Sequence, residues 1–579
     1  MLFSQLSFYF QKLEHTPSRN EMTKILADLF RKAGKDEIGK ICYLLLGRVV
    51  PLYEAIEFGM AEKLIIRAIS QAYAVKEDVI KRAYKKEGDL GTAAESCYQK
   101  MKQSEKPLTV VDIYETLYGI AVLSGEGSQD KKISDLARLL TRVDALSSRY
   151  LVRIPLDKLR LGFSDMTILD SISWMIGRDK SLRPKLEDAY NIRPDIGYIA
   201  QAVKMNGING LSHVKIKVGA PILASLCQRI PTADEMIQKM GEVAVEPKYD
   251  GVRVQIHYER MPNAKCQMLN VKTFSRNMEN TTAMFPELQK IGKQLNASEV
   301  ILDGEAIGVD PKTGKLIPFQ ETMTRKRKHE IALALKNVPL KFYIFDILYR
   351  DGQELLSKPL SERRKVLEHV VQKGNILVVS PQIVTNKSSD IRRYHDEQIQ
   401  KGLEGAVVKK WDSPYEPGRR GYSWVKFKEE EGKTGKLTDT IDAVIMGYYR
   451  GEGKRSAFGI GAFLVGVKKN ESFVTITKIG TGVSDELWKD FRRKLNALKT
   501  TKQPHEYESV NKLFTPDVWV SPSLVVEIAG DDLTKSSTHG AGVAVRFPRL
   551  VRIRTDKSAS DVTTVSELHQ MFSAQGGRQ

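Results

Sequence analysis

The apolar residues of this chain change their period once, near Val218, and that change limits the folds available to it. Upstream, Ile65, Ile69 and Ala72 recur at helical spacing with lysines and glutamates on the opposite face, and a similar pattern follows from Ile80 to Tyr84. Downstream, Val252, Val254, Ile256 and Tyr258 alternate with Arg253, Gln255, His257 and Glu259, the period of two of a half-buried strand. A helical stripe and a strand alternation cannot share one layer, so the chain divides into a helical leader and a β-rich remainder. At 579 residues it is also too long for one core, and usual domain sizes predict about three to four.

The boundaries follow from composition. Residues 1–218 read as helices punctuated by the glycine-bearing turns Gly88-Asp-Leu-Gly91 and Gly125-Glu-Gly-Ser-Gln-Asp-Lys-Lys132. The apolar start, Met1 to Phe10, lacks a cationic leader and a cleavage site, so it reads as the first core helix, not a signal peptide. After the capping box Thr232-Ala-Asp-Glu235, residues 219–435 carry strands, with Phe342-Tyr-Ile-Phe-Asp-Ile-Leu-Tyr349 as a central one, and close at the charged linker Glu429 to Gly435. Residues 436–579 hold short strands around Asp442, Ala462 and Leu524 separated by glycine turns, which predicts a small β-barrel, with Ser573 to Gln579 a disordered tail.

The net charge of +19 points to a polyanionic partner, nucleic acid ahead of a membrane surface. No stretch reaches the 18 or so apolar residues of a membrane span. The four cysteines are scattered without metal spacing and read as reduced thiols of a cytosolic protein.

Chemistry concentrates in a few segments. Lys248 sits in a K-x-D-G turn within Glu246-Pro-Lys248-Tyr-Asp250-Gly-Val-Arg253. A lysine acts as a nucleophile only where its surroundings favour the neutral amine, and such lysines form covalent intermediates. Ile301-Leu-Asp303-Gly-Glu305 sets two acids in an apolar strand, and Glu404-Gly-Ala-Val-Val-Lys409 brings a third beside a glycine. Acids from two strands suit Mg²⁺; salt bridges to the abundant lysines explain them equally well. In Trp424-Val-Lys426-Phe-Lys428 the lysines share a face with Trp424, while Val425 and Phe427 face the core, either to hold phosphate or to blunt a sheet edge. Arg546-Phe-Pro-Arg549-Leu-Val-Arg552-Ile-Arg554-Thr-Asp556-Lys557 is dense in cations. Gly432-Lys-Thr434 lacks the upstream glycine of a P-loop, where Phe427 stands, and Gly459-Ile-Gly461 lacks the third glycine of a dinucleotide fingerprint, so neither binds the nucleotide.

In order and spacing, Lys248-Tyr-Asp-Gly, Phe274-Ser-Arg276-Asn, Leu302-Asp-Gly-Glu305, Phe345-Asp346, Glu404 to Lys409, Trp424 to Lys428 and Arg546-Phe-Pro-Arg549 resemble the motifs of ATP-dependent DNA ligases of the archaeal type related to the eukaryotic replicative enzyme. The resemblance spans almost the whole chain. It implies a multidomain α+β protein with an all-helical DNA-binding domain, a central nucleotidyltransferase (adenylation) domain of antiparallel sheets and a C-terminal OB-fold β-barrel. It implies that Lys248 becomes lysyl-AMP on reaction with ATP, that Glu246 reads the adenine amino group and that Phe345 stacks on the base. Arg253 and Arg276 would contact ribose and phosphates, Glu305 the ribose and Mg²⁺, and Glu404 the Mg²⁺. Arg420, Lys426 and Lys428 would hold the α-phosphate, and Asp556 with Lys557 would orient pyrophosphate. The partner implied is nicked double-stranded DNA, in replication, repair and recombination, for a monomer of the nucleoid-associated cytoplasm with no membrane attachment.

Three departures stand out. Pro247 precedes the lysine, Thr555 stands in the last motif, and Gln103-Ser-Glu-Lys-Pro-Leu-Thr lacks the paired aromatics of a sliding-clamp segment. The rival readings are an RNA ligase or mRNA-capping guanylyltransferase, which the long helical leader disfavours, and a DNA-binding scaffold with a dead pocket. A scaffold has no need of the full set of ionisable groups.

Overall fold

The computed structural model describes residues 1–98, 106–260, 269–310, 312–317, 339–427, 440–451, 455, 458–508 and 510–576, with the side chains of Leu269, Arg420 and 574–576 excepted. Lys428, the linker 429–435 and Gln103 to Glu105 of the clamp segment lie outside the described residues. The chain forms two compact units, Met1–Lys428 and Glu429–Gln579.

Helices fill the first part of unit one, from Phe3–Glu14 to Ile196–Asn206. The helix Glu62–Tyr73 shows why: Ile65, Ile66, Ala68, Ile69, Ala72 and Tyr73 are all buried on one side of it. Burial of an aliphatic chain of this size contributes about 1.5–3 kcal/mol, more than the modest helix propensity of its β-branched residues costs. Polar caps set the ends, with the Asp144 carboxylate accepting from the Ser147 N–H at 2.9 Å. The two glycine-bearing turns are tied inward in part. Lys132 is buried and donates to the Phe58 carbonyl at 2.6 Å, and Asp89 is buried against the Arg153 guanidinium at 2.9 and 2.7 Å.

The rest of unit one contains two sheets. The five-stranded sheet has the order β1-β11-β10-β2-β9, built from β1 (Leu226–Arg229), β2 (Val243–Pro247), β9 (Ile383–Thr385), β10 (Ala406–Lys410) and β11 (Arg420–Phe427). The six-stranded sheet runs β4-β3-β5-β6-β7 with β8 beside β6, from β3 (Val252–Arg260), β4 (Leu269–Ser275), β5 (Glu299–Gly308), β6 (Leu340–Arg350), β7 (Gln353–Glu354) and β8 (Leu377–Val379). Each sheet backs onto its own core: Val243, Val245, Ala406, Val408 and Val425 pack with Met236 and Ile391, while Val254, Ile256, Leu302, Phe342 and Ile344 pack with Leu288 and Leu367.

The strand expected to be half-buried is covered on both faces, because Gln255 and His257 are buried as well as Val254 and Ile256. Its polar face receives the segment that leaves the helices. The Gly219 N–H donates to His257 Nδ1 at 3.0 Å, and Gln255 exchanges two bonds with the Ile222 backbone, at 2.8 and 3.0 Å. The remaining proton of the neutral ring, on Nε2, then points at Gln255 Oε1, 2.8 Å away. Tyr53 of the helical part meets Phe274 of β4 edge-on, 6.2 Å between centroids.

Unit two holds β12 (Ile441–Tyr449), β13 (Ala462–Lys469), β14 (Ser472–Ile479), β15 (Lys499–Thr500), β16 (Val518–Val520), β17 (Val525–Ala529), β18 (Asp532–Lys535), β19 (Val543–Arg546) and β20 (Arg549–Ile553). The expectation of a closed barrel is corrected here. Among the described residues these strands form an open seven-stranded sheet and a separate β18–β19 hairpin. One edge of β12 is divided, β17 pairing with Ile441 to Val444 and β16 with Gly447 and Tyr448, so the sheet branches at a bulge instead of continuing round. The last helix, Val565–Gly576, runs into the segment expected to be disordered.

Burial and the Lys272 ammonium push the His257 pKa down to about 3 from its ordinary value near 6.5. The unfolded chain therefore binds a proton through the window from 6.5 to 3 that the folded chain refuses, and stability present above pH 6.5 is lost as the pH falls. We expect the stability advantage of the wild type over His257→Phe to shrink by about 2 kcal/mol between pH 6.5 and 5, at about 1.4 kcal/mol per unit. Urea unfolding at the two pH values checks this; an advantage independent of pH refutes it.

Candidate active site

Strand register decides which side chains face each other. Across the five-stranded sheet, Lys426 lies opposite Val407 and Val407 opposite Glu246; two residues along, Trp424 lies opposite Lys409 and Lys409 opposite Ala244. Side chains alternate with a period of two, so Glu246, Lys409, Trp424 and Lys426 share the face away from the Val245–Val408–Val425 core. In the six-stranded sheet Arg253 opposes Glu305, Gln255 opposes Asp303, and Glu305 opposes Tyr343, again away from the apolar core. Contacts join the two polar faces. Lys409 Nζ donates to the Phe345 carbonyl at 3.3 Å, and the Arg253 guanidinium stands 5.4 Å over the Trp424 ring.

Lys248 occupies the turn between β2 and β3, where one sheet hands the chain to the other. Its N–H donates to the Gly405 carbonyl at 2.9 Å and its carbonyl accepts from the Glu404 N–H at 3.2 Å, so the turn is clamped to the Glu404-Gly405 corner. Its Nζ donates to the Glu404 carboxylate, and both side chains are 21% exposed, open enough to meet a ligand. Glycine is required on both sides of this clamp. A Cβ at Gly251 would stand 2.6 Å from the Ala306 carbonyl and 2.8 Å from Glu305 Cγ. Gly405 has φ +115° and a Cβ there would stand 2.7 Å from the Phe427 carbonyl and 2.9 Å from His395. Tyr249 fixes the outer side of the turn by stacking on Tyr343, 4.5 Å between centroids.

Below the lysine the charges are paired. Glu246 is buried and receives Lys409 Nζ at 3.0 and 2.9 Å; burial still pushes its carboxyl pKa up, against the pull of that ammonium. Lys409 lies 4.5 Å from the Phe345 ring centroid and 4.2 Å from that of Trp424, in contact with both π-faces. Arg253 forks onto Asp303 at 3.1 and 2.7 Å and donates to the Ser225 carbonyl at 2.7 Å, while the Tyr415 hydroxyl donates to the same Asp303 carboxylate at 2.7 Å. Burial opposes the Arg253 charge, and Asp303 more than restores it, holding the guanidinium firmly protonated.

Of the paired acids Asp303 and Glu305 in β5, Asp303 thus takes the salt-bridge reading. Glu305 does not: burial pushes its pKa up to about 8 in spite of Arg253 and Lys248 nearby. At neutral pH it retains a proton, the condition of a carboxylate that lacks enough positive charge. A divalent cation fits this donor set, because Glu305 and Glu404 both bear on the Lys248 amine. Among the described residues no group of three or more His, Cys, Asp or Glu side chains gathers into a cage.

Most of the expected site residues come together here: Glu246, Lys248, Arg253, Glu305, Phe345, Glu404 and Lys426. β11 is interior, between β1 and β10, so its lysine, Lys426, does not blunt an edge. Trp424, expected on the face of the lysines, is buried there at 3% exposure. Arg276 is exposed and borders a small cleft with Arg253, Gln255 and Asp303. Arg420 lies in β11 with its side chain undescribed, Lys428 lies outside the described residues, and Asp556 and Lys557 belong to unit two. Sequence reasoning gave no role to Lys409 or Tyr415. Strand alternation places Lys409 on the Glu246 face once the register is known; Tyr415 carries no signal in the sequence, because a loop delivers it.

Three family models match the chain: "DNA ligase N terminus" over residues 2–173, "ATP dependent DNA ligase domain" over 221–428, and "ATP dependent DNA ligase C terminal region" over 456–557. A protein named probable DNA ligase from Dictyoglomus thermophilum is 45% identical over 583 residues, covering 99% of this chain and 97% of its own. The DNA ligase of Pyrobaculum calidifontis is 38% identical over 596 residues, covering 99% of each. The solved structure Pmar-Lig_PreS3 aligns over 95% of this chain and 99% of its own at a TM-score of 0.53 and 16% identity, a likeness of fold.

A raised Glu305 pKa has a consequence for cation affinity. Mn²⁺, a common stand-in for Mg²⁺, should bind progressively tighter as the pH rises from 6.5 to 8.5, because Glu305 must shed its proton to become a ligand. Calorimetric titration should show that gain shrinking at least several-fold in Glu305→Gln; an identical pH slope in the variant would remove Glu305 from the cation site.

Proposed function

Since the chain belongs to the family of ATP-dependent DNA ligases, an enzyme that seals nicks by forming phosphodiester bonds, we propose that Lys248 is its nucleophile and that the two polar sheet faces form its ATP site. One observation carries this reading. The amine of Lys248 is delivered by a turn clamped between the two sheets, with carboxylates and cations arranged around it and solvent access retained.

In the resting site the Lys248 amine is engaged as a donor to Glu404, and a lysine attacks only as the free amine. Withdrawal of Glu404 from that pair lets the amine lose its proton. The free lone pair then forms a P–N bond to the α-phosphorus while the P–O bond to pyrophosphate breaks, and the proton leaves to solvent. Glu246 accepts from the adenine amino group, its carboxylate held in place by Lys409, and Phe345 stacks on the base. Arg253 and Arg276 contact ribose and phosphates. Lys426, with Arg420 and Lys428, neutralises the α-phosphate, and Asp556 with Lys557 orients pyrophosphate. Mg²⁺, held by Glu305 and Glu404, would supply further neutralisation of the phosphate oxygens.

In the second step AMP passes from Lys248 to the 5′-phosphate of the nick, and in the third the 3′-hydroxyl displaces AMP. Each is an in-line exchange at phosphorus, so the protein's work is positioning and charge compensation. We further infer that residues 1–218 grip the duplex, that 219–435 form the adenylation domain and that 436–579 act as an OB-type domain. The short strands of unit two and the match of 456–557 to a DNA ligase C-terminal region support a separate C-terminal domain. A charge of +19 supports DNA as the partner, and no described helix is long and apolar enough to cross a membrane.

Lys248→Ala should bind nicked duplex as the wild type does, yet form no covalent AMP adduct and seal no nicks. Intact-protein mass spectrometry after ATP and Mg²⁺ checks the adduct; an adenylate on the variant would take Lys248 out of its role.

A further inference from the structure

The cations of the C-terminal motif are not free in unit two. Asp442 and Glu527 stand directly opposite each other on β12 and β17, two like charges at a position that repels unless cations intervene. Arg554 supplies one. Its Nη1 donates to both Asp442 oxygens at 3.0 and 3.1 Å and lies 3.6 Å from Glu527. Its Nε and Nη2 fork onto Asp556 at 2.9 and 2.7 Å. Lys557 supplies the second, with Nζ 2.6 Å from Asp442 Oδ2. Arg552 adds a bond to Glu527 at 2.6 Å, and Thr440 donates to the other Glu527 oxygen at 2.8 Å.

Asp442 and Glu527 are mostly buried, at 14% and 11% side-chain exposure, and Lys557 is the more accessible partner at 31%. Asp442 is also fixed through its backbone, which exchanges bonds with Thr563 at 3.0 and 3.1 Å. The acid is therefore a rigid post and the lysine the part able to leave.

We propose that Asp442 is a positioning residue that parks Lys557, and that breaking this pair is a cost built into the first step of the reaction. The proposal rests on the reading that Lys557 engages the triphosphate tail. A lysine whose ammonium lies against Asp442 presents less charge to a polyphosphate, so Asp442 lowers the apparent affinity for ATP and for pyrophosphate. The later steps use neither group, and Asp442 has no part in them.

Asp442→Asn keeps the shape and the backbone bonds and removes the charge. It should lower the ATP concentration for half-maximal enzyme–AMP formation about three- to tenfold and strengthen inhibition by pyrophosphate. Sealing of a pre-adenylylated nick should stay at the wild-type rate. The effect should vanish when Lys557→Ala is also present, since no parked lysine remains. Asp442→Glu, which retains the charge, should behave as the wild type.

An unchanged ATP dependence in Asp442→Asn, or a change that persists without Lys557, overturns the parking role. Lys557→Ala alone tests the underlying reading: it should raise the half-saturating ATP, and if it does not, Lys557 has no work on the triphosphate. Should Asp442→Asn fail to fold, the double variant Asp442→Asn/Arg554→Gln removes both members of the buried pair; Glu527 keeps Arg552, and Asp556, 62% exposed, loses its partner to solvent. It releases Lys557 equally and must show the same lowered ATP requirement.

Discussion

The register between β2, β10 and β11 is the constraint on which the site depends. It aligns Glu246, Val407 and Lys426 in one row and Ala244, Lys409 and Trp424 in the next row of the same face. A slip of one residue in β10 would turn Lys409 into the Val245–Val408 core and leave Glu246 buried without its cation, at a cost of about 3–5 kcal/mol. The apolar face prevents that slip, because Ala406, Val408, Val243, Val245 and Val425 would be forced towards the charges. Core packing and charge placement are thus one specification, written on alternate residues of the same strands.

Around that face the protein balances its charges before any ligand arrives. Lys409 answers Glu246, Arg253 answers Asp303, and Glu404 answers Lys248, while in the second unit Arg554 and Lys557 answer Asp442 and Glu527. Two of these pairs, Lys409–Glu246 and Arg253–Asp303, are deep and serve to hold geometry. The Lys248–Glu404 pair is open to solvent, so a polyanion with its counterions can trade places with the partner at little desolvation cost. Glu305 is the exception, keeping a proton where its neighbours keep a counter-ion. This division between fixed and exchangeable pairs is how one site is both preorganised and able to turn over.

Much of this was legible residue by residue. The glycine after Lys248-Tyr-Asp marked a turn, to which the structure adds the close approach of Gly251 to β5, and the alternation of Trp424 to Lys428 marked a face. The acids of β5 left two readings open, and the structure gave one to each: a salt bridge for Asp303 and an uncompensated carboxyl for Glu305. Lys132 and Asp89 lie in glycine-bearing turns between helices and are buried, because partners distant in sequence, Phe58 and Arg153, reach them. The barrel expected from short strands and glycine turns is an open branched sheet among the described residues, since strand spacing reports how many strands exist and not which edges pair.

Sequence alone settled the helical leader and the strand-rich remainder and singled out Lys248 as the candidate nucleophile, because periodicity and short motifs are local properties that neighbours in the chain enforce. The tertiary structure alone decided that Glu404 is the acid on Lys248, that Lys409 and Tyr415 brace the site and that Asp442 holds Lys557. Those are contacts between residues 100 or more positions apart, chosen by strand register and by the low dielectric of the interior, and neither is written in any single segment.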